Sequence, residues 1–368
     1  MKRLVLAGGG HAHVEVLRRL ALAPEPGVET VLVSPVEHAG YSGMLPGYIA
    51  GRYSYDECHI DLRRLAAWAG CRFEPRAAAA FECAHRQIRF ADGTALPYDV
   101  LSIDIGSQPP SVPGVAEHAL PVKPLPRFLA GIENIVAMRD SPRIAIVGGG
   151  AAGVEVCLAL RARLSAASPR LLLLTSDQVI LPGHSRSTRG LVHRCLQQYG
   201  VGIRTGARVC AAGAQGLTLE QGESVGADAV IWATGAAPPP SLRSAGLATD
   251  AAGFVTVNHF LQSVSHAEVF VAGDAASMSG QARPKSGVYA VRQGPPLAAN
   301  LVSALRGAAL VAYRPQERTL ALIATGDGRA VLSWGGFALQ GAWLWRWKDR
   351  IDRRFMGRYR APDAVPVT

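Results

Sequence analysis

Three consecutive glycines follow a short apolar run at the start of the chain, and the same pattern returns 140 positions later. Residues 4–20 read LVLAGGGHAHVEVLRRL and residues 144–160 read IAIVGGGAAGVEVCLAL. In register, Gly8, Gly9, Gly10, Ala12, Val14, Glu15 and Val16 meet identical residues. Each copy reads as a buried strand, a glycine turn and a helix with apolar spacing. A second pair follows in the same order, YDVLSIDIGSQPPSV at 98–112 and ADAVIWATGAAPPPSL at 227–242. Two motifs repeated in one order predict two related α/β domains in one chain.

The glycine spacing has a physical reading. In G-x-G-x-x-G the first glycine turns strand into helix, the second admits a pyrophosphate close to the backbone, and the third lets helix and strand pack tightly. The phosphate then rests on the positive helix N-terminus. Gly148, Gly150 and Gly153 fill all three positions. Gly8 and Gly10 fill two, and His13 stands at the third, so the first helix and strand must pack differently. His11 and His13 are placed to donate to a pyrophosphate, or else to pack. About 20 residues beyond each turn a carboxylate is expected for a ribose. Neither following strand ends directly in one: the first gives Ser34, either a ribose partner or a loop start, and the second gives Ser176 and then Asp177, which favours NADH.

Composition narrows the class. The 368 residues are 49% hydrophobic and carry a net charge of +10, which excludes a disordered or fibrous chain. No run of about 18 apolar residues predicts a membrane-spanning helix, and the opening apolar run is too short for a secretory leader. Six cysteines with no C-x-x-C pair and no metal-ligand spacing point to a reduced, cytoplasmic setting and no metal site. Residues 341–360 hold seven basic and two acidic residues, half of the excess charge. Concentration at one end argues against a nucleic-acid stripe across the main domain.

On these motifs the chain resembles the two-dinucleotide-domain flavoproteins of the pyridine nucleotide–disulfide oxidoreductase superfamily. The resemblance includes VFVAGDAASM at 269–278, where a strand ends in Gly-Asp. YSGMLPGYIAGRY (41–53), PKSGVYAVRQGPPLAANL (284–301), WRWKDRIDRRFM (345–356) and the GGGHAH turn resemble one subgroup more narrowly. That subgroup is the oxidoreductase module sometimes fused to selenide, water dikinase, itself similar to type II NADH dehydrogenases. The resemblance implies FAD in the first domain, NADH or NADPH as substrate in the second, and hydride transfer to flavin before electrons pass to a quinone or other small acceptor. It implies an FAD domain in two parts, 1–118 and 249–310, an NAD(P)H domain at 119–248, and a C-terminal hairpin and basic amphipathic helix at 311–368. Other readings are a selenium- or sulfur-linked flavin oxidoreductase and an apoptosis-inducing-factor-like flavoprotein with little turnover. A redox disulfide is excluded because 38–53 holds no cysteine, and a sulfide:quinone mechanism because SMSGQARPKSG holds none.

The resemblance also assigns residues. Gly273 and Asp274 would meet the ribityl–pyrophosphate part of FAD. Ser42, Gly43 and Met44 would line the flavin, with Ala78, at the end of a short strand, giving backbone contacts to the adenine. Gly106 matches the superfamily's Ala-Thr-Gly position through Asp-Ile-Gly, and Gly235 matches it fully through Ala233-Thr234-Gly235. Lys285 would face the flavin edge and stabilise negative charge. Tyr289 and Gln293 share a helix face, which would border the flavin and a quinone tunnel. Glu155, in the first turn after Gly153, would assist proton uptake.

The C-terminal segment reads as a hairpin over 319–334 with Gly326-Asp327-Gly328 as its turn, then a helix over 341–359. Trp343, Leu344, Trp347, Ile351, Phe355 and Tyr359 fall in one arc of that helix, into which Lys348, Arg354 and Arg358 intrude. A basic, tryptophan-rich helix fits a membrane surface; docking on the FAD domain or on a second copy of the chain is the competing expectation. A membrane contact would place the protein peripherally on the inner face of the membrane.

Overall fold

The computed structural model describes residues 1–164, 168–281, 283–317 and 319–362. Two five-stranded parallel sheets organise it. The first runs Val269–Val271, Val100–Ile103, Lys2–Ala7, Val28–Val33, Arg72–Glu74. The second runs Leu120–Pro121, Ala229–Trp232, Arg143–Val147, Arg170–Leu174, Gly202–Arg204. Their inner strands are near-continuous Val, Ile and Leu because parallel strands are covered on both faces. Leu4–Leu6 and Ile146 are fully buried. In each sheet the glycine turn leaves the carboxyl end of the central strand, the crevice where open α/β sheets take ligands.

The strand at 100–103 lies in the first sheet, 120–121 and 229–232 in the second, and 269–271 in the first again. The chain therefore crosses between the units twice. The two crossings are tied together: the Gln108 and Ala237 backbones exchange hydrogen bonds of 2.9 and 2.7 Å.

The C-terminal segment spans both units. Ala321–Ala324 and Ala330–Trp334 form the expected hairpin, and a third strand, Phe337–Gly341, extends it across a Gly335–Gly336 turn. Ile323 and Val331 of this sheet enter the core of the second unit. The helix Ala342–Gly357 follows and places Phe355, Met356 and, just beyond it, Tyr359 in the core of the first. The expected apolar arc divides. Leu344, Phe355 and Tyr359 are buried, while Trp343, Trp347 and Ile351 are 55%, 40% and 42% exposed. Among the described residues no helix is long and apolar enough to cross a membrane.

Candidate functional site

At the first glycine turn Gly8 adopts φ +99°, and a Cβ there would lie 2.3 Å from the Asp104 carbonyl oxygen. Gly10 caps the helix His11–Leu22. A Cβ on Gly10 would meet the Asp104 carboxylate at 2.2 Å. That carboxylate accepts hydrogen bonds from the amides of Ala12 (2.8 Å) and His13 (3.2 Å). It thus takes two of the four N–H groups that a helix start offers. The second copy has Ala233 at the matching position, and the space beside Gly150 is open.

The third position also differs between copies. A Cβ on Gly153 would sit 1.9 Å from the Gly148 carbonyl oxygen, so helix and strand touch directly there. In the first copy the fully buried His13 ring bridges the gap, with Nδ1 2.6 Å from the Gly8 carbonyl and Nε2 2.7 Å from Ser102 Oγ. A carbonyl only accepts, so Nδ1 carries the hydrogen and Nε2 accepts from the serine hydroxyl. Burial pushes the His13 pKa down and keeps this neutral form. His11 lies beside it with its pKa lowered by burial, and its Nε2 is buried without a partner among the described residues. The orphaned ring nitrogen can donate to an acceptor-rich group such as a dinucleotide diphosphate, whereas the Asp104 carboxylate already takes two helix-start amides in this turn.

In the second unit Gly148 takes φ +127° and Gly235 φ +36°. Asp177 is exposed beyond Arg170–Leu174, held by the Thr175 hydroxyl through its amide (3.2 Å) and its carboxylate (3.4 Å). Its position suits a ribose diol. Ser34 is different: its hydroxyl donates to the Val36 carbonyl at 2.8 Å and closes its own turn. Ala78 does not end a strand, but lies in the loop before Ala80–Glu82.

The Gly-Asp segment is braced from three sides. Gln293 Oε1 accepts from the Gly273 amide at 2.7 Å. Asp274 accepts from Lys123, and from Ser107 at 3.3 Å. Lys123 stands at the entrance to the second unit, so this ion pair crosses between units. Sequence reasoning did not find Lys123 or Asp104, because each acts on a residue more than 90 positions away. A comparison of Asp104 with Ala233 in the repeat held the only available signal.

Beside Asp274 opens a cavity of about 230 Å³, lined by Lys285, Tyr289, Gln293, Phe254 and Tyr313 among others. Lys285 donates to the Ala276 carbonyl and sits 3.9 Å above the Phe254 ring, and burial lowers its pKa. The buried Tyr313 hydroxyl has no partner among the described residues. Tyr289 and Gln293 do share a face of Gly287–Arg306 on this cavity. Ser42 abuts the start of that helix, 2.8 Å from where a Gly287 Cβ would stand. Met44 is 1% exposed and packs in the core, so its side chain lines no open site. Gly106, at φ +71°, has open space beside it.

Glu155 lies in the helix Ala151–Arg163 and accepts from the Ala324 amide at 2.8 Å. Burial raises its pKa to about 7, against the opposing pull of the Lys348 ammonium. Cys157 is a core thiol, pushed to about 12 by burial. All six cysteines are free, and no His, Cys, Asp and Glu cluster suited to a metal occurs among the described residues.

Two parallel sheets with paired glycine turns, bridged at their crossings, define a two-domain dinucleotide-binding fold of the flavoprotein oxidoreductase type. The pattern of the pyridine nucleotide-disulphide oxidoreductases matches residues 2–294, and the chain belongs to that family. FAD and NAD(P)H are the cofactors that go with it. The chain is 28% identical to demethylphylloquinone reductase NdbB of Synechocystis, over 98% of this chain and 92% of that protein. It is 27% identical to an NADH dehydrogenase-like protein of Mycobacterium tuberculosis, over 60% of this chain and 59% of that protein's length. Its fold superposes on the sulfide:quinone oxidoreductase of Aquifex aeolicus with a TM-score of 0.82 at 18% identity, covering 99% of this chain and 93% of that one.

Proposed function

We propose that the protein oxidises NAD(P)H through FAD and passes the electrons to a quinone. FAD supplies the chemistry of accepting a hydride and releasing electrons singly or in pairs. In this reading the first turn holds FAD through Gly8, Gly10, His11, Gly106, Gly273 and Asp274. The second turn holds NAD(P)H through Gly148, Gly150, Gly153, Gly235 and Asp177. The observation that carries the reading is the cavity beside Asp274. It adjoins the Gly-Asp turn and the start of Gly287–Arg306, and no cysteine is among the described residues that line it. Electrons leaving there need no thiol relay and suit a small planar acceptor. Lys285 places a positive charge at its edge, and Gln293 fixes the Gly273 amide. Glu155, with a pKa near neutrality, is suited to hold the proton that accompanies reduction. The demethylphylloquinone reductase relative supports a quinone acceptor.

The exposed face of the C-terminal helix supports a membrane-surface location for such a substrate. Trp343, Trp347 and Ile351 line up there with the exposed Arg346, Arg350 and Arg354 beside them. Asp177 supports NADH over NADPH. A steady-state assay with a short-chain naphthoquinone tests the proposal. Quinone-dependent NADH oxidation that Gln293→Ala lowers is expected; flavin reduced by NADH but not reoxidised by any quinone would refute it.

A further inference from the structure

The C-terminal helix buries an ion pair where its docking face is otherwise apolar. Lys348 and Asp352, four residues apart, lie 2.6 Å from one another with side chains only 9% and 5% exposed. They stand between Leu344 and the Phe355–Met356 pair on the buried stripe. Taking two charges out of water is costly, and apolar residues of similar size usually replace such a pair without loss of stability. Docking alone therefore does not explain the pair. Its partners do. The Lys348 ammonium also donates to the Gly43 carbonyl. The Tyr41 hydroxyl interacts with the Asp352 carboxylate. The Tyr41 ring is stacked on Phe355 at 4.4 Å and tilted against His11 at 5.7 Å. The pair therefore holds both ends of the Tyr41–Gly43 stretch, which reaches the first glycine turn on one side and the start of Gly287–Arg306 on the other. Lys348 is also the main counter-charge to Glu155, which comes from the second unit.

We propose that Lys348 and Asp352 are positioning residues: through the Gly43 carbonyl and the Tyr41 hydroxyl they set the loop that lines the flavin, and they make the C-terminal helix part of the cofactor site. This rests on the flavin reading given above, with Ser42 and Gly43 beside the flavin as the family resemblance implies. The lysine that interrupts the apolar arc in the sequence is thus its functional member.

The test uses the full-length protein purified with FAD and three variants: Lys348→Met, Lys348→Arg and the apolar pair Lys348→Met/Asp352→Leu. The FAD dissociation constant, the visible circular dichroism of the bound flavin, its midpoint potential and the melting temperature are measured. Lys348→Met is expected to weaken FAD binding at least tenfold, alter the dichroism and make the potential more negative. Lys348→Arg should restore much of the loss. Stripped of FAD, the apolar pair should melt at or above the temperature of stripped wild type, yet it should keep the weak, altered flavin when reloaded. It leaves no buried charge unpaired, so it should fold even if Lys348→Met alone does not. Wild-type affinity, dichroism and potential in the apolar pair would overturn the inference and leave the flavin reading standing. Wild-type protein that binds no FAD would refute both.

Discussion

Substitution of Gly153 by alanine isolates the second dinucleotide site. The added methyl would lie 1.9 Å from the Gly148 carbonyl oxygen, about 1 Å inside any tolerated approach. The neighbour is backbone in the same turn, so it cannot swing aside. The helix Ala151–Arg163 must move off the strand Arg143–Val147, and overpacking of this kind costs about 1–3 kcal/mol. A shift of about 1 Å also spoils the aim of the helix-start amides at a diphosphate, and each charged hydrogen bond is worth about 1.5–3 kcal/mol. A loss of about 2 kcal/mol in NADH binding corresponds to roughly 30-fold in Kd. The first turn belongs to a different sheet, so flavin content should stay at the wild-type level. Anaerobic flavin reduction followed against NADH concentration measures the Kd, and absorbance of the purified protein measures flavin content. An NADH Kd within twofold of wild type would refute the helix–strand contact as the basis of the site.

Wild-type turnover should fall as pH rises through about 7, where Glu155 gives up its proton, and Glu155→Gln should remove that dependence and lower the rate below pH 7 by about 100-fold; a pH–rate profile checks both. For His13 the folded pKa is depressed, so its neutral form contributes stability above the unfolded value of about 6.5, and that contribution is lost as pH falls. His13→Asn should therefore lose less melting temperature between pH 7.5 and pH 5 than wild type. Trp343→Ser/Trp347→Ser should cut binding to anionic lipid vesicles severalfold in a flotation assay, while stability changes by no more than about 0.5 kcal/mol, because both rings are already exposed.

The two α/β units were legible in the sequence because glycine turns are local. Gly8 and Gly148 need positive φ and stand beside backbone that no Cβ could approach. Their strands announce themselves as unbroken apolar runs. The residues that complete the site were not legible, since they act over long separations. Asp104 caps a helix 92 residues earlier in the chain, and Lys348 reaches a carbonyl 305 residues away. The helix at 342–357 shows the limit well. Its apolar arc was visible, but which half docks depends on the surface it meets, and only the docked half explains Lys348. Ser34 and Ala78 show the converse limit. A serine after a strand offers the same letter whether it binds a ribose or closes its own turn, as it does here.

In the proposed reaction NAD(P)H delivers hydride directly to flavin. Purified protein mixed with NADH under anaerobic conditions tests it most directly, with the flavin absorbance followed in a stopped-flow instrument. Rapid bleaching of the oxidised flavin band without any added thiol is expected. An oxidised spectrum that persists with both NADH and NADPH would contradict it, and would leave the second unit as a nucleotide sensor rather than the entry point for electrons.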